Sequence, residues 1–184
     1  MRFHYASGMA RNIARDFSFL ALGKLGRLEI TDRYMAAGHR QKDALESFIG
    51  AIADLWSVPP AQIVFWHGPA RDLIDRGDWI RTMDEVIRNL RADARFEDTK
   101  FRNEFRGSMR VRNFHDRRVV AHFLDAGTAQ TNQDSSPTPR RRRRNRQRTE
   151  DAIRRTITAE LTGGIDLLMN NREETTVFVI EPEN

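Results

Sequence analysis

Apolar residues in four short runs predict β-strands. Three of the runs alternate with polar residues or are rich in β-branched residues, and QIVFW is continuously apolar, which is typical of a strand covered on both faces. The predicted strands are Arg27–Thr31, Gln62–Trp66, Thr156–Leu161 and Thr175–Ile180.

Apolar residues at helical spacing predict amphipathic helices between and before these strands. The predicted helices are Gly8–Leu22, Gln41–Trp56, Trp79–Ala94 and the short Ile165–Met169. Because a helix links the first two strands, we expect a parallel β-α-β unit with a right-handed connection. The sequence therefore predicts one α/β domain over residues 1–184, with five or six strands in a mixed, mostly parallel sheet flanked by helices.

The segment Met109–Asp125 combines a strand-like alternation with candidate chemistry. Its apolar alternation is interrupted at Asn113–Arg117, which predicts a pair of strands joined by a polar turn. His115 and Arg117 are two residues apart, so on an extended backbone they point to one face. Imidazole as nucleophile or base beside a permanent cation suits attack on a phosphodiester without a metal. A chain this rich in arginine also produces such pairs by chance.

The formal charge of +5 comes from one local cluster. Without the seven arginines of that cluster, the rest of the chain carries a formal charge of −2. The cluster, which we call the arginine run, is Arg140, Arg141, Arg142, Arg143, Arg144, Arg146 and Arg148. Residues 126–148 lack apolar periodicity and predict a flexible arginine-rich loop. Such a run favours salt-dependent binding to DNA or RNA; the alternatives are a solvated loop and a localisation signal.

Other protein classes lack their usual signatures in this sequence. The chain has no cysteine, so disulfides, thiolate metal sites and a cysteine nucleophile are excluded. We expect a soluble, cytoplasmic protein, because no segment reads as a membrane span or a signal peptide. No phosphate-loop, dinucleotide or zinc motif occurs, and we expect no cofactor and no metal site. Asp32 and His67 end two predicted strands, where ligand sites of α/β sheets gather, although a structural role for His67 is the simpler interpretation.

Three stretches, taken in order, resemble the phospholipase D-like superfamily. Within it, the chain is similar to the C-terminal domain of MIT-domain proteins and its bacterial relatives. The stretches are LEITDRYMA at Leu28–Ala36, RNFHDRRVV at Arg112–Val120, and LTGGIDLLM followed by TTVFVI.

The resemblance implies roles for individual residues. His115 corresponds to the histidine that forms a covalent phospho-enzyme, and Arg117 replaces the lysine that binds phosphate. His122 stands where the superfamily motif has an aspartate, and we include it in the candidate catalytic set. Phosphate binding would involve Gly163 and Gly164, through close backbone approach, together with Asp166 and Arg112. Since single-motif members pair two protomers, the resemblance also implies a homodimer.

Two other functions remain open from the sequence. The missing motif aspartate favours a non-catalytic subunit that binds nucleic acid or anionic lipid headgroups, in a larger assembly such as a bacterial defence system. No terminal amphipathic anchor accompanies the fold, so a membrane partner is not expected. The second alternative is a HEPN-type ribonuclease, whose Arg-x4-His motif fits Arg117 and His122. About 0.8 such matches are expected by chance at this composition, and that fold is all-helical.

Overall fold

The computed structural model describes residues 1–67, 73–105, 117–124, 153–170 and 173–181. Seven strands form one sheet in the order β1-β7-β6-β5-β2-β3-β4. The strands are β1 Arg2–Tyr5, β2 Leu25–Thr31, β3 Gln62–His67, β4 Lys100–Phe105, β5 Arg117–Leu124, β6 Ile153–Leu161 and β7 Thr175–Ile180. The helices are α1 Ile13–Asp16, α2 His39–Ala53, α3 Leu73–Ala92 and α4 Ile165–Asn170, with 3₁₀ turns at Ser18–Ala21 and Ala94–Phe96.

The α/β class is confirmed, but the expectation of a mostly parallel sheet is wrong. Only β2–β3 and β3–β4 are parallel among the described strands. The other four pairings are antiparallel. The physical reason lies in the connections, because α2 and α3 are long crossovers that return the chain parallel, whereas β5 and β6 are sequence neighbours that pair antiparallel.

The helices that the structure describes pack against one face of the sheet and form one hydrophobic cluster with it. On β2 this face carries Leu28 and Ile30, which are fully buried. On β5 it carries Val119 and Ala121, also fully buried. Residues between them, such as Arg118, point to the second face, as strand geometry requires. Helix α2 packs against both α3 and α4, and so ties the two halves of the sheet together.

The predicted helix Gly8–Leu22 is largely replaced by irregular structure. Only Ile13–Asp16 is α-helical, and a 3₁₀ turn follows at Ser18–Ala21. Asn12 starts the helix late, because its side-chain oxygen caps the Arg15 backbone N–H at 2.9 Å. Strands β1 and β4 were not expected from the sequence.

None of the described helices is both long and apolar enough to cross a membrane.

Candidate functional site

Arg117 lies at the edge of the sheet where the parallel strands end. It opens β5, and its neighbour Arg118 pairs with Thr31 at the end of β2. On the other side, Arg117 pairs with Leu161 at the end of β6. The carboxyl ends of β2 and β6 therefore meet the amino end of β5. We call this place, with Asp32, Arg117 and the turn Thr162–Gly164, the Arg117 edge.

The carboxylate of Asp32 holds this edge together. The side chain of Asp32 is 2% exposed. The oppositely charged residues close to it in the sequence are arginines. Its Oδ1 accepts a hydrogen bond from the Tyr34 backbone N–H at 2.9 Å, and its Oδ2 accepts one from the Ile165 backbone N–H at 2.9 Å. Arg117 Nε lies 3.9 Å from Oδ1. One buried side chain thus joins the end of β2 to the start of α4 and the start of β5.

Burial raises the pKa of Asp32 above the ordinary value of an aspartate. The two backbone hydrogen bonds and the charge of Arg117 act in the opposite direction, while the neighbouring Asp166 carboxylate adds to the rise. The balance favours a proton on Asp32 more than in water.

Arg117 is positioned by the backbone as well as by Asp32. Its Nη1 donates to the Thr162 carbonyl oxygen at 3.3 Å. The side chain keeps 25% of its surface exposed, so a permanent cation is presented at this edge with its direction fixed.

The turn at Gly163 and Gly164 passes close to the carboxylates. A Cβ added at Gly164 would lie 3.1 Å from Asp32 Oδ2 and 2.5 Å from Asp166 Oδ1. A Cβ at Gly163 would lie within 3.2 Å of side-chain atoms of Leu167 and Thr175. Glycine therefore allows the backbone to approach Asp32 this closely. The Asp166 carboxylate is 3.8 Å from Arg40 Nη2, so α2 supplies a second cation nearby.

His67 lies one strand away from Asp32, on the same face of the sheet. The Asp32 backbone N–H donates to the Trp66 carbonyl oxygen at 3.1 Å, which places the ends of β2 and β3 side by side. His67 is fully buried, and its Nε2 is 2.7 Å from Asn103 Oδ1 on β4. Its ring centroid lies 6.5 Å from that of Trp79. These contacts fit the structural role that the sequence favoured.

The structure also contains a cleft of about 360 Å³. It lies between residues 36–39, which lead into α2, and residues 78–82 of α3. Trp79 lines the cleft and also contacts the rings of Tyr34 and His67.

His122 is on the opposite face of the sheet from Arg117. They are five positions apart on one strand, so their side chains point in opposite directions. His122 Nε2 is 3.0 Å from Glu29 Oε1, and its Nδ1 is 3.2 Å from Thr156 Oγ1. The structure does not bring His122 into the Arg117 edge.

Glu29 is the centre of a separate polar cluster on that second face. Besides His122, it contacts Arg27 Nη2 at 2.9 Å and accepts a hydrogen bond from Trp66 Nε1 at 2.7 Å. Burial by itself raises the pKa of Glu29, but the His122 hydrogen bond, the Arg27 charge and the Trp66 hydrogen bond outweigh it and leave the pKa lowered. Sequence reasoning missed this cluster because its members come from four strands.

Several predicted site residues lie outside the described residues. They are His115, Arg112 and the seven arginines of the arginine run. Their roles stay predictions.

From the sequence, a loop between the His115 segment and the Thr156 strand is expected to begin at the edge of the candidate site if the two strands are neighbours, and this expectation is wrong. Strands β5 and β6 are neighbours, but residues 125–152 connect Leu124 to Ile153, at the end of the strands far from Arg117. Eight strand residues span about 25 Å. The loop therefore begins and ends at the opposite edge of the sheet from Arg117.

Within the described ranges, no group of three or more histidine or carboxylate side chains is arranged to hold a metal ion. The fold and this edge define an α/β protein with a mixed seven-stranded sheet. A buried carboxylate and a fixed arginine lie where its two parallel strand pairs end. No protein-family model matches the chain, and no curated protein matches it. The phospholipase D-like resemblance thus depends on this chain's own residues.

Proposed function

We propose that this chain is a phospholipase D-like protein that binds the phosphodiester backbone of nucleic acid at the Arg117 edge and cleaves it without a metal through His115. The observation that carries the proposal is the position of Arg117. It is fixed by Thr162 and Asp32, faces the helix side of the sheet, and lies beside a turn of two glycines. The planar guanidinium of an arginine is well suited to binding two phosphate oxygens.

Three elements that the resemblance connects also meet in space. Asp32 lies in the LEITDRYMA stretch, Arg117 in the RNFHDRRVV stretch and Gly164 in the LTGGIDLLM stretch, so the three are far apart in sequence. Asp32 contacts the other two stretches directly, through Arg117 Nε and the Ile165 N–H. Motifs that share one place in the fold support a shared function more than their order in the sequence does.

His115 precedes Arg117 by two residues and would supply the nucleophile. If the backbone is extended there, His115 faces the same side as Arg117. The imidazole nitrogen would attack phosphorus as the P–O bond to one nucleotide breaks, and that alcohol oxygen would take a proton from solvent. Water would then attack phosphorus and break the N–P bond, which frees the histidine and returns a proton to solvent. Arg117 would neutralise the phosphoryl oxygens during both steps.

The second candidate is a non-catalytic subunit that binds nucleic acid. The position of His122 favours it, because the residue five places after Arg117 carries no carboxylate and faces away from the edge. In this case the Arg117 edge binds phosphate and turns nothing over. The HEPN-type alternative loses support, since Arg117 and His122 lie on a strand of a sheet and not in a helical bundle.

The test is incubation in EDTA of the parent protein and His115→Ala with labelled single- and double-stranded DNA and RNA. Cleavage and retention are followed together. Cleavage by the parent that is lost in the variant supports the enzyme, and the preferred strand names the substrate. Retention without cleavage in both proteins supports the binding subunit. Cleavage at the parent's rate by His115→Ala would contradict the proposed mechanism.

The implied homodimer belongs to the same proposal. Sedimentation equilibrium of the purified chain should give twice the mass of one chain, and a monomer at all concentrations that also cleaves nucleic acid would contradict it.

A further inference from the structure

We propose that anion binding at Arg117 is coupled to proton uptake by Asp32, so that the site binds a phosphodiester more tightly as the pH falls. This inference depends on the proposed function, since it concerns the same site. It assigns to Asp32 a positioning and regulatory role that the sequence motifs did not give it.

The Arg117 guanidinium neutralises part of the charge of the Asp32 carboxylate. Asp32 Oδ1 is the carboxylate oxygen that lies 3.9 Å from Arg117 Nε, and Asp32 is almost fully buried. A phosphodiester that reached the exposed quarter of Arg117 would take over part of the neutralisation that Asp32 provides. The buried carboxylate would then face an added negative charge in a site with little water.

Compensation for this charge could come from the groups around Asp32. From β5 it faces Arg117, and across the Gly164 turn it faces Asp166, which is itself negative. Of the other described cations, Arg40 on α2 is directed to Asp166 at 3.8 Å, and Arg33 lies over the Tyr34 ring, with its Cζ 5.3 Å from the ring centroid. On β3, the His67 imidazole has its Nε2 directed to Asn103. A proton from solvent is therefore the compensation that the site favours.

A protonated Asp32 carboxyl would be a hydrogen-bond donor at this edge. The Asp32 carboxylate takes one proton from water and becomes a carboxylic acid, while no other bond changes. One oxygen still accepts a backbone N–H, and the new O–H is available to donate toward a phosphate oxygen. Burial already raises the pKa of Asp32, which favours the protonated carboxyl before an anion binds. Binding of a phosphodiester raises the pKa of Asp32 further.

The experiment titrates the full chain with the dinucleotide thymidylyl-thymidine over a series of pH values. Its single phosphodiester keeps one negative charge throughout, so the ligand itself does not titrate. The affinity of the parent should increase by up to about tenfold for each pH unit of fall, the limit for one coupled proton. The same titration with Asp32→Ser, whose hydroxyl can still accept the Tyr34 N–H, should show a much smaller pH dependence. Glu29→Gln on the second face is the matched control and should behave as the parent.

A second measurement does not depend on a variant. The ¹³C shift of the Asp32 carboxyl carbon, followed by NMR with pH, reports its titration separately from that of His115 or Asp116. The Asp32 pKa should rise when the dinucleotide is added. An unchanged pKa, or an Asp32→Ser protein that keeps the parent's pH dependence, would overturn the coupling and leave the proposed function standing. A parent that binds no dinucleotide, or binds it as well after Arg117→Gln, would overturn both.

Discussion

At the scale of single residues, two acidic side chains of one short segment behave in opposite ways. Glu29 and Asp32 are three residues apart and face opposite sides of the sheet. The pKa of Glu29 is lowered because its partners donate to it, and the pKa of Asp32 is raised because burial dominates. From the sequence, an acidic residue at the end of β2 could be placed near a ligand edge. The contact of Asp32 with the Ile165 N–H could not be predicted from the sequence, because the two residues are 133 positions apart.

The lowered pKa of Glu29 predicts a loss of stability in acid. The group's contribution is fully present above the ordinary pKa of 4.5, and it is lost as the pH falls through the lower value of the folded state. Glu29→Gln should remove this part of the acid dependence. Urea unfolding at a series of acidic pH values checks this, with the parent and Glu29→Gln compared at each. Equal losses of unfolding free energy in the two proteins would exclude Glu29 as a source.

Asp32 should have the opposite effect on stability. Its contribution is fully present below the ordinary aspartate pKa of 3.8, and it decreases as the pH rises through the raised value of the folded state. Relative to the parent, Asp32→Ser should therefore gain stability with rising pH in that window, whatever its absolute stability. The same urea series measures the difference. A difference that stays constant with pH would contradict the raised pKa.

At the scale of elements, long and strongly patterned segments were predictable and short ones were not. Strands β2, β3 and β7 and helix α2 are confirmed within a few residues, because each buries an apolar face in the main cluster. Strand β1 has four residues and lies at the edge of the sheet, where little apolar burial is required. Strand β4 is the opposite edge strand, and its polar and charged residues hid the alternation.

The irregular pairing of β2 with β5 depends on a glycine. Gly26 lies at the register shift between Leu25 and Arg27, and a Cβ there would lie 2.7 Å from side-chain carbons of Leu124. Gly26→Ala should lower the unfolding free energy by about 1–3 kcal/mol, the usual cost of overpacking. Leu124→Ala in the same chain should recover part of the loss, and chemical denaturation measures both.

A matched control is available in α3. Gly77 has no atom within 4 Å of an added Cβ, so Gly77→Ala should raise stability by up to about 1 kcal/mol through helix propensity. If Gly26→Ala and Gly77→Ala changed stability in the same direction and by the same amount, the contact with Leu124 would not explain the first result.

At the scale of the whole molecule, Arg117 and the attachment points of the arginine-rich segment, Leu124 and Ile153, lie at opposite ends of the paired strands β5 and β6. Arg117 lies at one edge, and the segment that contains the arginine run is attached at the other, about 25 Å away. Neither the sequence nor the resemblance could reveal this separation, because it depends on the direction of β5 within the sheet. Nucleic acid that reached both ends would lie along the strands.

The arginine run should therefore determine the salt dependence of binding without determining its chemistry. Replacing its seven arginines with serine should make the slope of log affinity against log salt concentration shallower by several units, since each phosphate contact contributes about 0.7–0.9. Arg117→Gln should change this slope by about one at most. Filter binding of a labelled oligonucleotide at several salt concentrations checks both. An unchanged slope after replacing the run would exclude it as a phosphate-binding segment.

The central claim is that phosphodiester chemistry occurs at the Arg117 edge, and adjacent residues on β5 give its most direct test. Arg117 faces the edge and Arg118 faces the second side of the sheet, so the two substitutions remove the same charge from opposite faces. The measurement is the rate of nucleic-acid cleavage in EDTA, together with retention, for Arg117→Gln and Arg118→Gln. We predict that Arg117→Gln loses cleavage and keeps only the retention that the arginine run supplies, and that Arg118→Gln keeps both activities. Parent-like activity in Arg117→Gln, or equal losses in the two variants, would contradict the proposed site.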